Sequence, residues 1–427
     1  MSDTDLSDGI VSDELPQHIH PSPSTRTDFK PWHRVRKQFI REQQWNHEVR
    51  FLAQRFLRNE LQHEETAWGE SSSTPASTTE ASTPENFRVE RPLRCLVLPG
   101  DELLDIRSLW QELQHEGCYL RFLGFNNTIH TKAKRRQIDV AESAVTQLAK
   151  VCKNSQVTND SFQAVAQDNS QAYSLFRRYG PYDLVNLDLC DSLVPRGKSG
   201  EMEAYYTAIH RLIHYQLQHQ KTPWLLFATT QVDRVSANQP EINKLADPLR
   251  ANCDKHPRFA EALAKLIPQA AFQGSEHKLN ISLLTSEHLV RVFGVVLGKW
   301  LIGILSNASP RCIVKLVPSY RYTIKPESNV EMLSLGFLIT PHLSPPVDHT
   351  GVSTLAPVER PFPDEVDSAL GLISTAANIS DVDQILAADV DLHKRLTVAK
   401  SNLLAAVGYD AERYIKWVAD GERDAST

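Results

Sequence analysis

The side chains with the strongest claim to chemistry sit at the ends of short apolar runs. The densest group is Asn186-Leu187-Asp188-Leu189-Cys190-Asp191-Ser192, where Asn186 and Asp188 interrupt an apolar segment. Burying either one without a partner costs about 1–3 kcal/mol. Each therefore needs a ligand, a backbone donor or water, and together they are candidates to orient a substrate. Asp191 and Ser192 have the plainer alternative of shaping a turn. A second group, Leu98-Pro99-Gly100-Asp101-Glu102, places one glycine beside two carboxylates. Glycine lets a backbone approach a ligand closely, and a carboxylate can take a hydroxyl or a cation; turn geometry alone also calls for glycine. Asn126, in Phe125-Asn126-Asn127, could hydrogen-bond a ribose or belong to a polar loop. Asp168 and Asn169, in Gln167-Asp168-Asn169, could meet an adenine amine or cap a helix.

Two basic clusters stand apart from these. Lys30, Arg34, Arg36, Lys37 and Arg41 are interleaved with Trp32, Phe39 and Trp45, a mixture able to grip phosphates and stack a base. The alternative is a helix that docks its aromatics and leaves its charges in solvent. Lys132, Lys134, Arg135 and Arg136 form the second cluster, a further phosphate-binding rim or a solvated helix start. No metal site is expected. The six cysteines (Cys95, Cys118, Cys152, Cys190, Cys253, Cys312) contain no CxxC pair, and His210 and His214, four apart on one helix, lack an evident third ligand. Cys95, Cys190 and Cys312 lie in apolar runs and read as buried, reduced thiols.

The elements that must position these groups alternate. Apolar strands are expected at Arg94–Gly100, Leu120–Phe125, Phe162–Ala166, Tyr182–Asp188 and Pro223–Thr230, with helices at Leu103–His115, Lys132–Cys152, Ala172–Tyr179 and Glu203–Gln220. Such alternation argues for βαβ units and a parallel sheet covered on both faces. Residues 234–285 read as helical and mixed, and Glu287–Leu305 as an apolar helix. Cys312–Thr323 and Val330–Thr340 follow as a strand pair around a turn-like Pro-Glu-Ser-Asn. Ligands in such sheets bind beyond the carboxyl ends of the strands, where the candidate residues fall.

The chain has 427 residues, a hydrophobic fraction of 41% and a charged fraction of 23%. At roughly 100–200 residues per domain, that is one large domain with additions, or two. The expected organisation is a disordered acidic tail (1–28), a basic and aromatic helical segment (29–63) and a flexible Ser/Thr/Pro/Glu linker (64–86). An α/β domain (90–341), a Pro-rich connector (342–364) and C-terminal helices (365–420) follow. A formal net charge of −6 argues against whole-molecule attraction to nucleic acid. Leu289–Leu305, the most apolar stretch, is broken by Arg291, Lys299 and glycines, so no membrane span is expected. Met1–Leu15 lacks the order of a signal peptide, which implies a cytoplasmic protein.

The strand pattern, Gly100 with its acidic neighbours and the Asn186-to-Ser192 segment resemble the class I methyltransferase superfamily that binds S-adenosylmethionine. The resemblance implies a doubly wound, seven-stranded Rossmann-like sheet with an N-terminal helical segment and a C-terminal helical appendage. It places the cofactor on Gly100, Asp101, Glu102, Asn126, Asp168 and Asn169, and the catalytic work on Asn186 and Asp188. Leu187-Asp188 and Ser192 are distantly similar to the substrate loop of tRNA guanine dimethyltransferases. More closely, the chain resembles a bacterial family combining Lys30-Pro31-Trp32-His33, Asn186–Ser192 and Pro223-Trp224-Leu225-Leu226-Phe227. That family is associated with mobile elements and anti-phage defence clusters, which implies nucleic acid or proteins of the same operon as partners.

Two functions are expected from this. One is a divergent S-adenosylmethionine-dependent methyltransferase acting on nucleic acid, which Lys30, Trp32, Arg34, Arg36, Lys37, Lys132, Lys134, Arg135 and Arg136 would contact. The other is an inactive methyltransferase-shaped scaffold or partner-binding subunit. The first turn carries one glycine where the superfamily has Gly-x-Gly, Asn126 stands where an acid holds ribose, and Asn186–Leu189 replaces an Asp/Asn-Pro-Pro-Tyr motif. A Walker run and a Gly-x-Ser-x-Gly elbow are absent from the sequence.

Overall fold

Five short apolar strands pair in parallel in the computed structural model, which describes residues 25–57, 91–189, 192–193, 199–232, 238–268, 272–273, 278–279, 283–324, 331–343 and 361–422. They are β1 (Leu93–Val97), β2 (Leu120–Phe125), β3 (Gln156–Thr158), β4 (Leu184–Asp188) and β5 (Trp224–Gln231). β6 (Phe272–Gln273) and β7 (Lys278–Leu279) form a separate two-stranded ladder. β8 (Cys312–Thr323), β9 (Glu331–Pro341) and β10 (Ser380–Asp381) complete an eight-stranded sheet of order β10-β8-β9-β5-β4-β1-β2-β3. β9 runs antiparallel between β5 and β8, and β10 adds a short parallel edge to β8. The sheet is mixed α/β, mostly parallel, and compatible with a Rossmann-like fold. Its order reverses between β1 and β4, the place where a crevice opens in doubly wound sheets.

Both faces are covered, which is why the strands carry continuous apolar runs. One face packs helices Gln171–Tyr179, Ser199–His219, Gln239–Lys255, Pro257–Leu266, Ser286–Leu305 and Glu365–Ala376. The other packs the N-terminal helix, Leu104–Glu116, Lys132–Thr146, Val382–Ala388, Val390–Ala405 and Ala411–Ala419. Ser286–Leu305 has the length and apolar composition of a membrane span, but thirteen of its residues are buried in this core. Burial in the fold accounts for the apolarity.

The C-terminal helices are built into both layers rather than appended. A Cβ on Gly298 would stand 2.8 Å from Leu372, so helices Ser286–Leu305 and Glu365–Ala376 meet backbone against side chain. Arg26 N–H donates to Gly408 O at 2.9 Å, and Asp410 N–H donates to Arg26 O at 3.0 Å. Order therefore begins within the expected acidic tail, at least from residue 25. The N-terminal helix is continuous from Val35 to Leu57 but winds as π-helix over Arg41–Asn46 and Ala53–Leu57. π-turns recur at functional sites, and the first one carries Arg41 and Trp45. The expected linker (64–86) lies outside the described residues, as does most of the Pro-rich connector.

The expected third strand was misplaced. Phe162–Ala166 is a 3-10 helix, and β3 is the shorter Gln156–Thr158 just before it. Phe162 and Val165 are buried because that helix packs on the Ser199–His219 helix and not because it joins the sheet.

Candidate functional site

The carboxyl ends of β1, β2, β3 and β4 open into one cavity of about 470 Å³. Its walls include Gly100, Asp101 and Glu102 after β1, Asn126 to Thr128 after β2, Asp160 to Gln163 after β3, and Asp188 and Leu189 after β4. Trp32, Lys37 and Arg41 close it from the N-terminal segment, with Asp105 and Lys134 nearby. A Cβ on Gly100 would meet open space, so packing alone does not demand glycine there. The same turn holds Leu103 in the left-handed region, φ 53°. A non-glycine residue rarely adopts this conformation, and it costs about 1–3 kcal/mol where it occurs.

The carboxylates of the first turn differ in engagement. Asp101 pairs with Lys134 Nζ at 3.2 Å on the rim. Glu102 is buried and accepts from Arg26 Nη2 and from the Tyr409 hydroxyl, both at 3.1 Å. Asn126 is spent on structure. Its Nδ2 donates to Pro99 O at 3.0 Å, and its Oδ1 accepts from Thr128 N–H at 2.9 Å and from Thr128 Oγ1 at 2.7 Å. It thereby ties the β1 turn to the β2 turn.

Asp188 lies on the sheet face that the N-terminal helix covers, and Lys37 Nζ donates to its Oδ1 at 2.5 Å. Lys37 also stands over Trp45, 4.7 Å from the ring centroid. Burial pulls the Lys37 ammonium down, but Asp188, Tyr322 and Asp105 outweigh it and hold it above its ordinary value. Beside this pair, Arg41 Nε donates to Asp105 Oδ1 at 2.7 Å. The two carboxyls diverge. Burial lifts Asp188 above its ordinary value, with Lys37 a partial offset. Burial would lift Asp105 too, but Arg41 and Lys37 outweigh it and hold it low. Each carboxylate is thus held by a cation of the N-terminal helix, Asp188 by Lys37 and Asp105 by Arg41. Asn186, two residues back on the same face, is buried, and its Oδ1 has no hydrogen-bond partner. It does not line the cavity, whereas Asp188 does.

Asp168 and Asn169 are not part of this arrangement. Both are exposed, and Asp168 pairs with Arg211 of the Ser199–His219 helix. The group after the true third strand is Asp160-Ser161-Phe162, which sequence reasoning missed because it placed the strand six residues late. The signal was present: Gln156-Val157-Thr158 alternates, and Asn159-Asp160 is a turn signal. Asp105 and Arg41 were also missed as a pair, since nothing local links them.

The basic N-terminal segment takes neither of its expected arrangements. Phe39 and Trp45 dock, and Arg34, Lys37 and Arg41 are buried with them. Arg34 donates to Ile324 O and, at 3.2 Å, to Glu422 O. Arg36 pairs with Asp383 and Glu422. Lys30 remains near the surface with Asp28 at 3.5 Å, and Trp32 is 48% exposed. Lys132, Arg135 and Arg136 are exposed on the helix beginning at the cavity rim. Among the described residues no group of three or more His, Cys, Asp or Glu could hold a metal. Cys190 and Asp191 lie outside the described residues.

Comparison with curated proteins gives no match. A family model matches residues 26–419, which hold every strand of the eight-stranded sheet, and on it the chain belongs to the PP_RS20740-like family.

Proposed function

We propose that this protein is a divergent S-adenosylmethionine-dependent methyltransferase whose cofactor sits at the carboxyl ends of β1 to β4. The observation that carries the reading is the convergence of Gly100, Asp160 and Asp188, from three separate strand ends, on one cavity at the sheet's reversal point. The antiparallel β9 between β5 and β8 supports it, because a hairpin after the fifth strand belongs to the methyltransferase plan. The residues present fit the cofactor. Open space above Gly100 suits its amino-acid portion, and Asp160 and Ser161 offer polar groups to the adenine edge. Bound there, S-adenosylmethionine supplies an electrophilic methyl group on a sulfonium. Asp188 would orient the acceptor and take its proton, and Lys37 would hold Asp188 in place; the site works chiefly by positioning.

Nucleic acid is the proposed acceptor polymer, with Lys132, Lys134, Arg135 and Arg136 as its rim, in a bacterial defence or mobile-element system. A second reading, an inactive scaffold for proteins of the same operon, is favoured by Asn126, whose amide is engaged by Pro99 and Thr128 where an acid would hold ribose.

Calorimetric titration with S-adenosylmethionine and its demethylated product tests the proposal. Micromolar binding is expected, weakened at least about tenfold by Gly100→Val, roughly 1.4 kcal/mol. The valine would fill open space and leave the fold intact. A folded protein that binds neither compound at millimolar concentration supports the scaffold instead.

A further inference from the structure

Beside the cofactor cavity lies a second, smaller one of about 260 Å³, whose lining includes Pro31, Trp32, Leu189, Tyr322, Ile324 and Met332 together with Arg34, Arg36, Lys37 and Asp188. Trp32, Lys37, Asp188 and Leu189 belong to both cavities, so the two meet at the Lys37–Asp188 pair. We infer that this second cavity is the acceptor site and that it takes a flat, uncharged heteroaromatic ring bearing one N–H or O–H. The inference rests on the methyltransferase reading for the word acceptor, and on the cavity alone for the ligand.

Three observations select that chemistry. The first is size: the volume falls below the roughly 300–1,000 Å³ of pockets for drug-sized ligands, which suits a single ring system. The second is the wall. Trp32 keeps 48% of its surface exposed at the mouth, while Tyr322 and Met332 are buried in the lining. A half-exposed indole beside an apolar hollow is a stacking platform, and a π-face is what it recognises.

The third is charge. Three cations edge the cavity, and each is answered inside the protein: Arg34 by the Glu422 main chain and carboxylate, Arg36 by Asp383 and Glu422, Lys37 by Asp188. A phosphate entering here would have to break those pairs, so the basic composition of the segment does not make a phosphate site. Asp188 is the carboxylate shared with the cofactor cavity, and a ring N–H or O–H aimed at it would stand where the two cavities meet. Such a ring can arrive free or as a base turned out of a nucleic-acid strand; the recognition chemistry is the same.

The test uses the full-length protein and ligand-observed NMR with adenine, indole, inorganic phosphate and a single-stranded oligonucleotide. Adenine or indole is expected to bind saturably and phosphate not at all. Ile324→Trp, which fills this cavity alone, is expected to weaken ring binding at least about tenfold and to leave S-adenosylmethionine titration unchanged. Competition of the ring by the oligonucleotide would identify nucleic acid as the source, and its absence a free small molecule. Ring binding that persists undiminished in Ile324→Trp, or phosphate binding in place of the rings, overturns the inference. Ring binding without cofactor binding would sink the methyltransferase reading and leave this site standing.

Discussion

His33 carries the clearest consequence of burial at the scale of one residue. It is fully buried beneath the ordered N-terminal segment; its Nδ1 accepts from Lys30 N–H at 3.1 Å, and its ring lies edge-on to Tyr409 at 4.8 Å. Burial first, then Lys400, Arg41, Arg26 and Lys30, push its pKa from 6.5 down to about 2. The folded state thus keeps His33 neutral where the unfolded chain binds a proton. Its contribution is complete above pH 6.5 and declines as pH falls below it, by up to about 1.4 kcal/mol per unit. Thermal melts between pH 7 and 5 should therefore show a falling midpoint whose slope is shallower in His33→Gln. An identical slope in the variant would mean that His33 protonates without cost. Lys400 belongs to the same interior: fully buried, without a hydrogen-bond partner for Nζ, and driven well down by burial and Arg41. Neither residue looks unusual in sequence, because burial by a segment distant along the chain leaves no local mark.

At the scale of elements, the sheet is anchored at the end opposite the cavity. Asp183, just before β4, is buried and accepts from Arg91 at 2.9 Å, Arg94 N–H at 2.9 Å, Arg94 Nε at 3.3 Å and Gln220 Nε2 at 3.0 Å. This network joins the entrances of β1, β4 and β5. Asp183→Ala would strand two arginines and a buried amide, and breaking a buried pair costs about 3–5 kcal/mol. Chemical denaturation should register that loss, while a change below 1 kcal/mol would show the arginines to be solvated. The alternating elements were legible because both-face burial writes continuous apolar runs into parallel strands. β1, β2, β4 and β5 were legible that way, and β8 and β9 as a strand pair around a turn; Gly100, Asp101, Glu102, Asn126 and Asp188 line the cavity at the ends of β1, β2 and β4. β3 escaped because three residues at the sheet edge carry little signal, whereas Phe162 and Val165 imitate a strand. Asp168 and Asn169 followed that error.

At the scale of the whole molecule, the segment from residue 25 and the last described helices clasp each other. Phe29 packs against Tyr409, Tyr414 and Trp417 at 5.3 to 5.8 Å, and Glu422 accepts the Val35 N–H at 3.0 Å. The Lys37, Arg41 and Trp32 side chains reach the cavity because residues 25–57 are held from behind by the C-terminal helices. Composition suggested a basic arm for a polyanion; long-range pairing turned most of it into a cavity wall, which local charge counting does not reveal. On this account the cavity is a cofactor site in which strand topology, and not nearness in sequence, selects the working residues. Asp160 and Asp168 separate the two ideas. Both follow the region of the third strand, but only Asp160 lines the cavity, while Asp168 is exposed against Arg211. The decisive measurement is titration of Asp160→Ala and Asp168→Ala with S-adenosylhomocysteine. Binding weakened at least about tenfold in the first and unchanged in the second is the expected result; equal affinity in both, or loss confined to Asp168→Ala, would contradict it.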